Sequence, residues 1–449
     1  MVGVSLSRWT MSYFAAALVA LLAGEIMMAV GFGYPAVAIA SPDTLILVHI
    51  VAIGWLSLLM CGALLQFLPV LVAQPLYSNA LAVPALVSLV AGLAALVLAF
   101  LQLGGRIDLG APFFTAAAIL LSLGFALVLY NLVWTMIASK TVPLPAWFVA
   151  AGLASVVATV MLGAVFSLVL GGVIQSGPLL ALVGAGLPIH AIAGLGGWLT
   201  FTAVGVSYRL LAMFMLAPEL DGARPKSAFY LGTAALAIVI IGGVVTVLLE
   251  GNLSLTFFAA LVVALPAFAF YGFDAVHLYR ARKRRNIELN SRTAGIALGY
   301  LAASVVLIVV LLAVGRLRDH VGAVVFLVAF GWLTGLGLSQ LYKIVAFLTW
   351  LECYGPVLGK IQTPRVQDLV VEARAIKWFI LYFVAVGVGA VALLADAPIA
   401  FRFAAVVMLV ATTGIIAQLV RTRRLLDVNA EARLPQGVQL PYLLLSCHT

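Results

Sequence analysis

Six side chains in this 449-residue chain have the type and placement to do chemistry: His49, His190, His320, Glu25, Arg209 and Lys343. Each histidine falls in or at the edge of a long apolar stretch, and the alternation of those stretches puts all three toward one side of a membrane. Neutral imidazole is a common ligand of haem iron, so His49 with His190 or His320 could hold a b-type haem. His49 and His190 could instead bind copper with a thioether or thiol, although Met60 and Cys61 lie some 11 residues deeper than His49. The plainer reading of each is an interfacial or helix-contact histidine satisfied by hydrogen bonds. His277, beside a basic run, reads as a headgroup-level residue.

Glu25 is the carboxylate set deepest in an apolar stretch. Ionisable groups inside a bilayer are costly and mark functional sites by default, so Glu25 could relay protons or bind a cation. A neutral acid bonded to a neighbouring helix is equally open. Arg209 and Lys343 fall at the other end of their stretches, where long basic side chains ordinarily snorkel to headgroups. Contact with an anionic ligand is the alternative, and Asp274 is placed to pair with this basic region.

The elements that must hold these groups are membrane-spanning helices. The chain is 65% apolar and only 9% charged, with a mean hydropathy of +1.23, which excludes an ordinary soluble domain. Apolar stretches long enough to cross a bilayer lie near residues 11–39, 45–71, 80–104, 111–138, 144–174, 180–217, 227–249, 253–279, 293–314, 321–350, 376–395 and 398–420. They predict an all-α polytopic protein of twelve transmembrane helices, a single integral membrane domain over residues 1–449 with a short, loosely ordered tail at 425–449. Sustained alternation of the kind a transmembrane β-barrel needs is absent. The first stretch lacks a small-residue cleavage site and reads as a retained helix.

Loop charge predicts orientation. With the amino terminus inside, 18 basic residues fall on the cytoplasmic side, against Arg106, Arg316, Arg318 and Arg402 on the other. Both termini are therefore expected in the cytoplasm, and the net charge of +9 suits anionic lipid headgroups. No stacking or groove-reading elements accompany the charge, so nucleic-acid binding is not expected. Cys61, Cys353 and Cys447 suggest neither a disulfide framework nor a paired-cysteine metal motif. Phosphate-loop, zinc-protease and nucleophile-elbow motifs are missing too.

A pattern recurs three times: His49 then Gly54-Trp55, Gly62, Gln66 and Pro69; His190 then Gly197-Trp198, Gly205, Arg209 and Ala212; His320 then Gly331-Trp332, Ser339, Lys343 and Ala346. Offsets of 7, 11 and 14 from each Trp share one helix face to within roughly 40°. The copies fall on helices 2, 6 and 10, four apart, which predicts a pseudo-threefold ring of four-helix units: helices 1, 2, 11 and 12, then 3 to 6, then 7 to 10. The glycines suit close helix approach in lipid, making a packing face the plain reading of each stripe.

This order and spacing resemble subunit I of the haem-copper oxidase and nitric oxide reductase superfamily, through segments 49–69, 190–214 and 320–347 and the run from Lys343 to Trp350, Tyr354-Gly355 and Asp368-Leu369. The resemblance implies a pseudo-threefold twelve-helix fold in a bacterial inner membrane, respiratory electron transfer or nitric oxide handling, and a respiratory or electron-transfer subunit as partner. Helix 7 here has no histidine, and six residues before each repeat Trp stand His49, Ile192 and Phe326. The family's binuclear centre is therefore not expected, nor is oxidase or nitric oxide reductase activity. A haem- or copper-binding protein without that centre, a transporter of a small solute or metal with Glu25 as its coupling group, and a non-catalytic accessory or assembly subunit remain open.

Overall fold

The computed structural model describes residues 8–435 and 438–445; Cys447 lies outside them. Twelve helices among these residues are long and apolar enough to cross a membrane, making the chain a polytopic membrane protein. In chain order they are span 1 (Thr10–Val30), span 2 (Pro42–Leu71), span 3 (Ala82–Leu103), span 4 (Phe113–Ile137), span 5 (Leu144–Leu170) and span 6 (Leu187–Met215). Spans 7 to 12 are Ala223–Leu248, Leu253–Arg280, Leu289–Ala313, Val321–Val357, Glu372–Leu394 and Pro398–Arg423. An even number of crossings returns the chain to the face on which it began. That face is called the terminal face below, and the opposite one the far face.

Local chemistry explains where several spans start and stop. Ser41 caps span 2 by accepting from the Thr44 amide, and proline follows at the first turn. Span 1 ends at Val30, not near 39, because Gly31 adopts a left-handed φ of 80° and its amide turns back onto the Met28 carbonyl. The stretch expected at 180–217 is two helices, Gly177–Ala185 and then span 6, divided at Gly186 ahead of Pro188. His190 consequently sits three residues into its span, in the first turn and not ten residues deep.

The Trp-bearing segments are not uniformly α-helical. Ile50–Ser57, Ile192–Phe201 and Leu327–Thr334 are π-helical, each enclosing its repeat tryptophan, and a shorter π segment occupies Ile238–Gly242 in span 7. An inserted residue rotates everything upstream by roughly 100° relative to an unbroken α-helix. The stripe downstream of each Trp is α-helical, so its common face survives, whereas the phase between each histidine and its Trp does not follow from 3.6-residue counting. All three indoles are buried, with exposures of 0, 2 and 0% for Trp55, Trp198 and Trp332.

The chain divides into two compact units. One comprises Met1–Gln66 and Glu288–Thr449, bringing spans 9 and 10 together with 1, 2, 11 and 12. Here span 1 packs on spans 2 and 12, span 10 on spans 9 and 12, and span 11 on span 12. The other, Phe67–Ile287, holds spans 3 to 8, with spans 3 and 4, 4 and 5, 5 and 6, and 7 and 8 as neighbours. Trp55 and Trp332 thus belong to the first unit and Trp198 to the second. Glycines make the tightest approaches: a Cβ at Gly62 would lie 2.6 Å from Tyr13 Cβ of span 1, and one at Gly205 2.3 Å from Phe148 Cβ of span 5. In a bilayer, where lipid competes equally for apolar surface, such close contact supplies the packing that holds helices together.

Within the tail expected to be loose, residues 425–433 are docked. Leu425 and Val428 are buried against Cys353, Tyr354 and Leu369. Tyr354 Oη donates to the Arg433 carbonyl at 2.8 Å. Asp427 accepts from Arg374 at 2.8 Å and from Arg421 at 2.7 Å. Burial would push the Asp427 carboxyl up, but those two guanidinium groups prevail and hold it below the usual carboxylate value. Cys353 itself lies within the last turns of span 10 and is buried.

Candidate intramembrane polar site

Five spans of the first unit contribute to a buried polar cluster around Glu25. Its carboxyl group has no solvent exposure. Oε1 accepts a hydrogen bond from Thr412 Oγ1 of span 12 at 2.8 Å, while Oε2 has no partner among the described residues. Tyr382 of span 11, also fully buried, interacts electrostatically with Glu25 and with Thr334. Its hydroxyl donates to the Phe330 carbonyl at 2.9 Å. Thr334 Oγ1 donates to the Ala329 carbonyl at 2.7 Å and accepts from Trp55 Nε1 of span 2 at 2.8 Å.

The π segment of span 10 explains why polar groups gather here. Widening the helical turn redirects the carbonyls of residues 329 and 330, and a side-chain hydroxyl from Thr334 and another from Tyr382 reach them. The repeat tryptophan of span 2 then binds to that hydroxyl instead of merely filling space. Trp332, its counterpart on span 10, keeps an indole N–H with no partner among the described residues.

The remaining sequence candidates occupy different settings. His49 is half-buried, and its Nδ1 lies 2.7 Å from the Leu45 carbonyl, an acceptor. Nδ1 therefore carries a proton. His190, in the second unit, packs on span 5 against Phe166 at 5.6 Å between ring centres and against the space above Gly163. His320 is buried at the residue preceding span 10. Among the described residues, no three His, Cys, Asp or Glu side chains converge as a metal site would require. Met60 and Cys61 stand on span 2 beyond its π segment, with Cys61 fully buried.

Arg209 is ion-paired with Glu219, and Lys343 with Glu288 at 2.6 Å. Lys343 and Glu288 line a small cleft with Asn290, Tyr342, Gln367 and Glu372, with room for about one water. Asp274 pairs with Arg224 at 3.2 Å and accepts from Tyr208 at 2.9 Å. A buried ion pair had no sequence signal: Arg423 Nη1 lies 2.6 Å from Glu352 Oε2, with both side chains at most 3% exposed. Their separation of 71 residues hides the pairing, and Arg423 reads as one more basic loop residue.

No protein-family model matches the chain, and no curated protein matches it.

Proposed function

We propose that this chain is a proton-coupled membrane protein in which Glu25 is the proton-carrying acid, with the terminal face in the cytoplasm. The observation that carries the reading is the state of the Glu25 carboxyl: fully buried, bonded to one threonine hydroxyl, and with its second oxygen unpartnered among the described residues. An ionised carboxylate in hydrocarbon without a compensating cation costs several kcal/mol, so these surroundings favour the neutral acid. Ionisation then requires water or a cation to reach Oε2, which makes the group responsive to access. Thr412, Tyr382 and Thr334 hold the hydroxyls that a transferred proton would meet. The basic excess of the terminal-face loops supports the orientation. The three spaced Gly-Trp segments support an architecture resembling subunit I of the haem-copper oxidases, with its pseudo-threefold arrangement, in a bacterial inner membrane.

Treatment with a hydrophobic carbodiimide tests the reading, because such reagents modify protonated buried carboxyls. Glu25 is expected to be modified at neutral pH, and Glu25→Gln to abolish proton uptake by proteoliposomes. An unmodified Glu25 together with unchanged uptake in Glu25→Gln overturns it.

A second reading, a haem or copper protein of electron transfer, is favoured by His49. A ligating histidine ordinarily donates its other ring N–H to a carbonyl, which is the relation of His49 to Leu45. The donor set fits one imidazole ligand on span 2. It does not fit a paired ligand at the corresponding place on span 10, where Phe326 packs with Phe330 at 5.1 Å and Phe401 at 5.3 Å. A haem on His49 predicts a Soret band in purified protein that His49→Ala removes; a colourless, metal-free preparation contradicts it.

A further inference from the structure

Between Glu25 and the terminal face, the same bundle carries a second polar belt. Thr10, Thr349, Glu352, Thr422 and Arg423, from spans 1, 10 and 12, are each at most 3% exposed. Polar groups at the end of a span would ordinarily meet water. Here the C-terminal segment lies among the groups that exclude it.

Arg423 organises the cover. Its Nη1 reaches Glu352 Oε2 at 2.6 Å and Thr349 Oγ1 at 3.3 Å, while Nε and Nη2 donate to the carbonyls of Tyr442 at 2.8 Å and Leu445 at 2.9 Å. Ser12 Oγ on span 1 adds a bond of 2.7 Å to the Leu444 carbonyl. The segment has two parts of unequal grip. Residues 425–433 are seated by buried Leu425 and Val428, by the Tyr354 bond and by the Asp427 ion pairs. Val438 still packs against that cluster, but beyond it Leu440, Tyr442, Leu443 and Leu444 are 42 to 67% exposed, and Arg423 and Ser12 supply side-chain bonds that hold this stretch. Segments with few buried contacts open at low cost, and carbonyls of irregular backbone exchange readily to water.

We infer that residues 440–445 form a strap that closes the terminal-face end of the Glu25 bundle, hinged where Val438 leaves the seated cluster and latched by Arg423. Lifting the strap exchanges the Tyr442, Leu444 and Leu445 carbonyls from Arg423 and Ser12 to water, and opens the belt above them. The inference rests on the Glu25 reading for its purpose and not for its geometry. Closed, the strap keeps water from the polar belt on the terminal-face side of the acid; open, it admits the solution of that face to the belt.

The test uses the full chain carrying Cys447→Ser, with Ser12→Cys and Leu444→Cys to lock the strap by a disulfide and Gln418→Cys on span 12 as reporter. Gln418 is 8% exposed and lies between Thr412 and Arg423 on its helix. A charged maleimide is added to detergent-purified protein, and the peptide bearing residue 418 is followed by mass spectrometry. Reduction of the disulfide, in the same folded polypeptide, is expected to speed labelling by about tenfold or more, as is Arg423→Gln in a chain without the lock. Equal rates in the locked, reduced and Arg423→Gln proteins overturn the strap. The readout is access of water and not protonation. Switching access with proton uptake indifferent to Glu25→Gln therefore keeps the strap and rejects the proton role, whereas constant access with uptake lost in Glu25→Gln does the reverse.

Discussion

Glu25 and Asp274 are both carboxylates within apolar spans and both nearly inaccessible, yet their neighbours treat them oppositely. Asp274, in the unit of spans 3 to 8, has Tyr208 on one oxygen and Arg224 on the other, and Arg224 is about half exposed and so reaches the polar boundary. A cation faces its charge, and the two contacts tie spans 6, 7 and 8. Glu25, in the unit of spans 1, 2 and 9 to 12, meets hydroxyls instead of a cation. On the proposed reading, the acid that faces a cation is a fastener and the acid that faces hydroxyls carries the proton.

Substitutions can break or sharpen that contrast. Glu25→Gln keeps the shape of the neutral acid and its acceptor oxygen for Thr412, so the protein is expected to fold and to lose proton uptake entirely. A large loss of thermal stability there, by fluorescence-monitored unfolding, would mean that Glu25 is a fastener after all. Glu352→Gln leaves Arg423 charged and buried at the core of the C-terminal contacts, and is expected to cost about 3–5 kcal/mol. Asp274→Asn strips Arg224 of its partner, but solvent screening of the half-exposed guanidinium limits the cost to about 1–2 kcal/mol, with proton uptake unaffected. If Asp274→Asn abolished uptake while Glu25→Gln spared it, the roles would have to be exchanged. Trp55→Phe loses the bond to Thr334 and leaves the indole's volume partly empty, an expected loss of about 1 kcal/mol or somewhat more in the same unfolding assay.

The smallest effect concerns pH. Asp427 is held below its ordinary value in the folded protein, so its contribution is present above the unfolded value of about 3.9 and fades as pH falls through the folded one. Limited proteolysis of the C-terminal segment should therefore be constant from neutral pH down to about 4 and accelerate below it, and Asp427→Asn should remove the dependence. An equal pH dependence in Asp427→Asn would place the sensitivity elsewhere.

The architecture was legible to the extent that it depends on transfer from water to lipid. Twelve apolar stretches became twelve spans, and Glu25 stood out because a charge in such a stretch needs a reason. Asp274 could be paired with a basic region because both lay near one membrane boundary. What could not be read depends on pairing between distant helices and on backbone register. Nothing local distinguishes Arg423 from the other loop arginines until Glu352 is brought against it. His190 was set too deep because Gly186 and Pro188 divide what hydropathy joins. The π segments escape a 3.6-residue count altogether, although the Gly-Trp pair recurs at three of them. That recurrence was the signal present, and it pointed to packing as readily as to backbone geometry.

The central claim is that Glu25 is a neutral acid at rest and gives up its proton when water reaches it. Infrared difference spectroscopy of the purified protein across a pH titration measures this directly. The account predicts a protonated carboxyl C=O band at neutral pH that disappears in Glu25→Gln and persists in Asp274→Asn. A spectrum without that band, or one unchanged by Glu25→Gln, contradicts it.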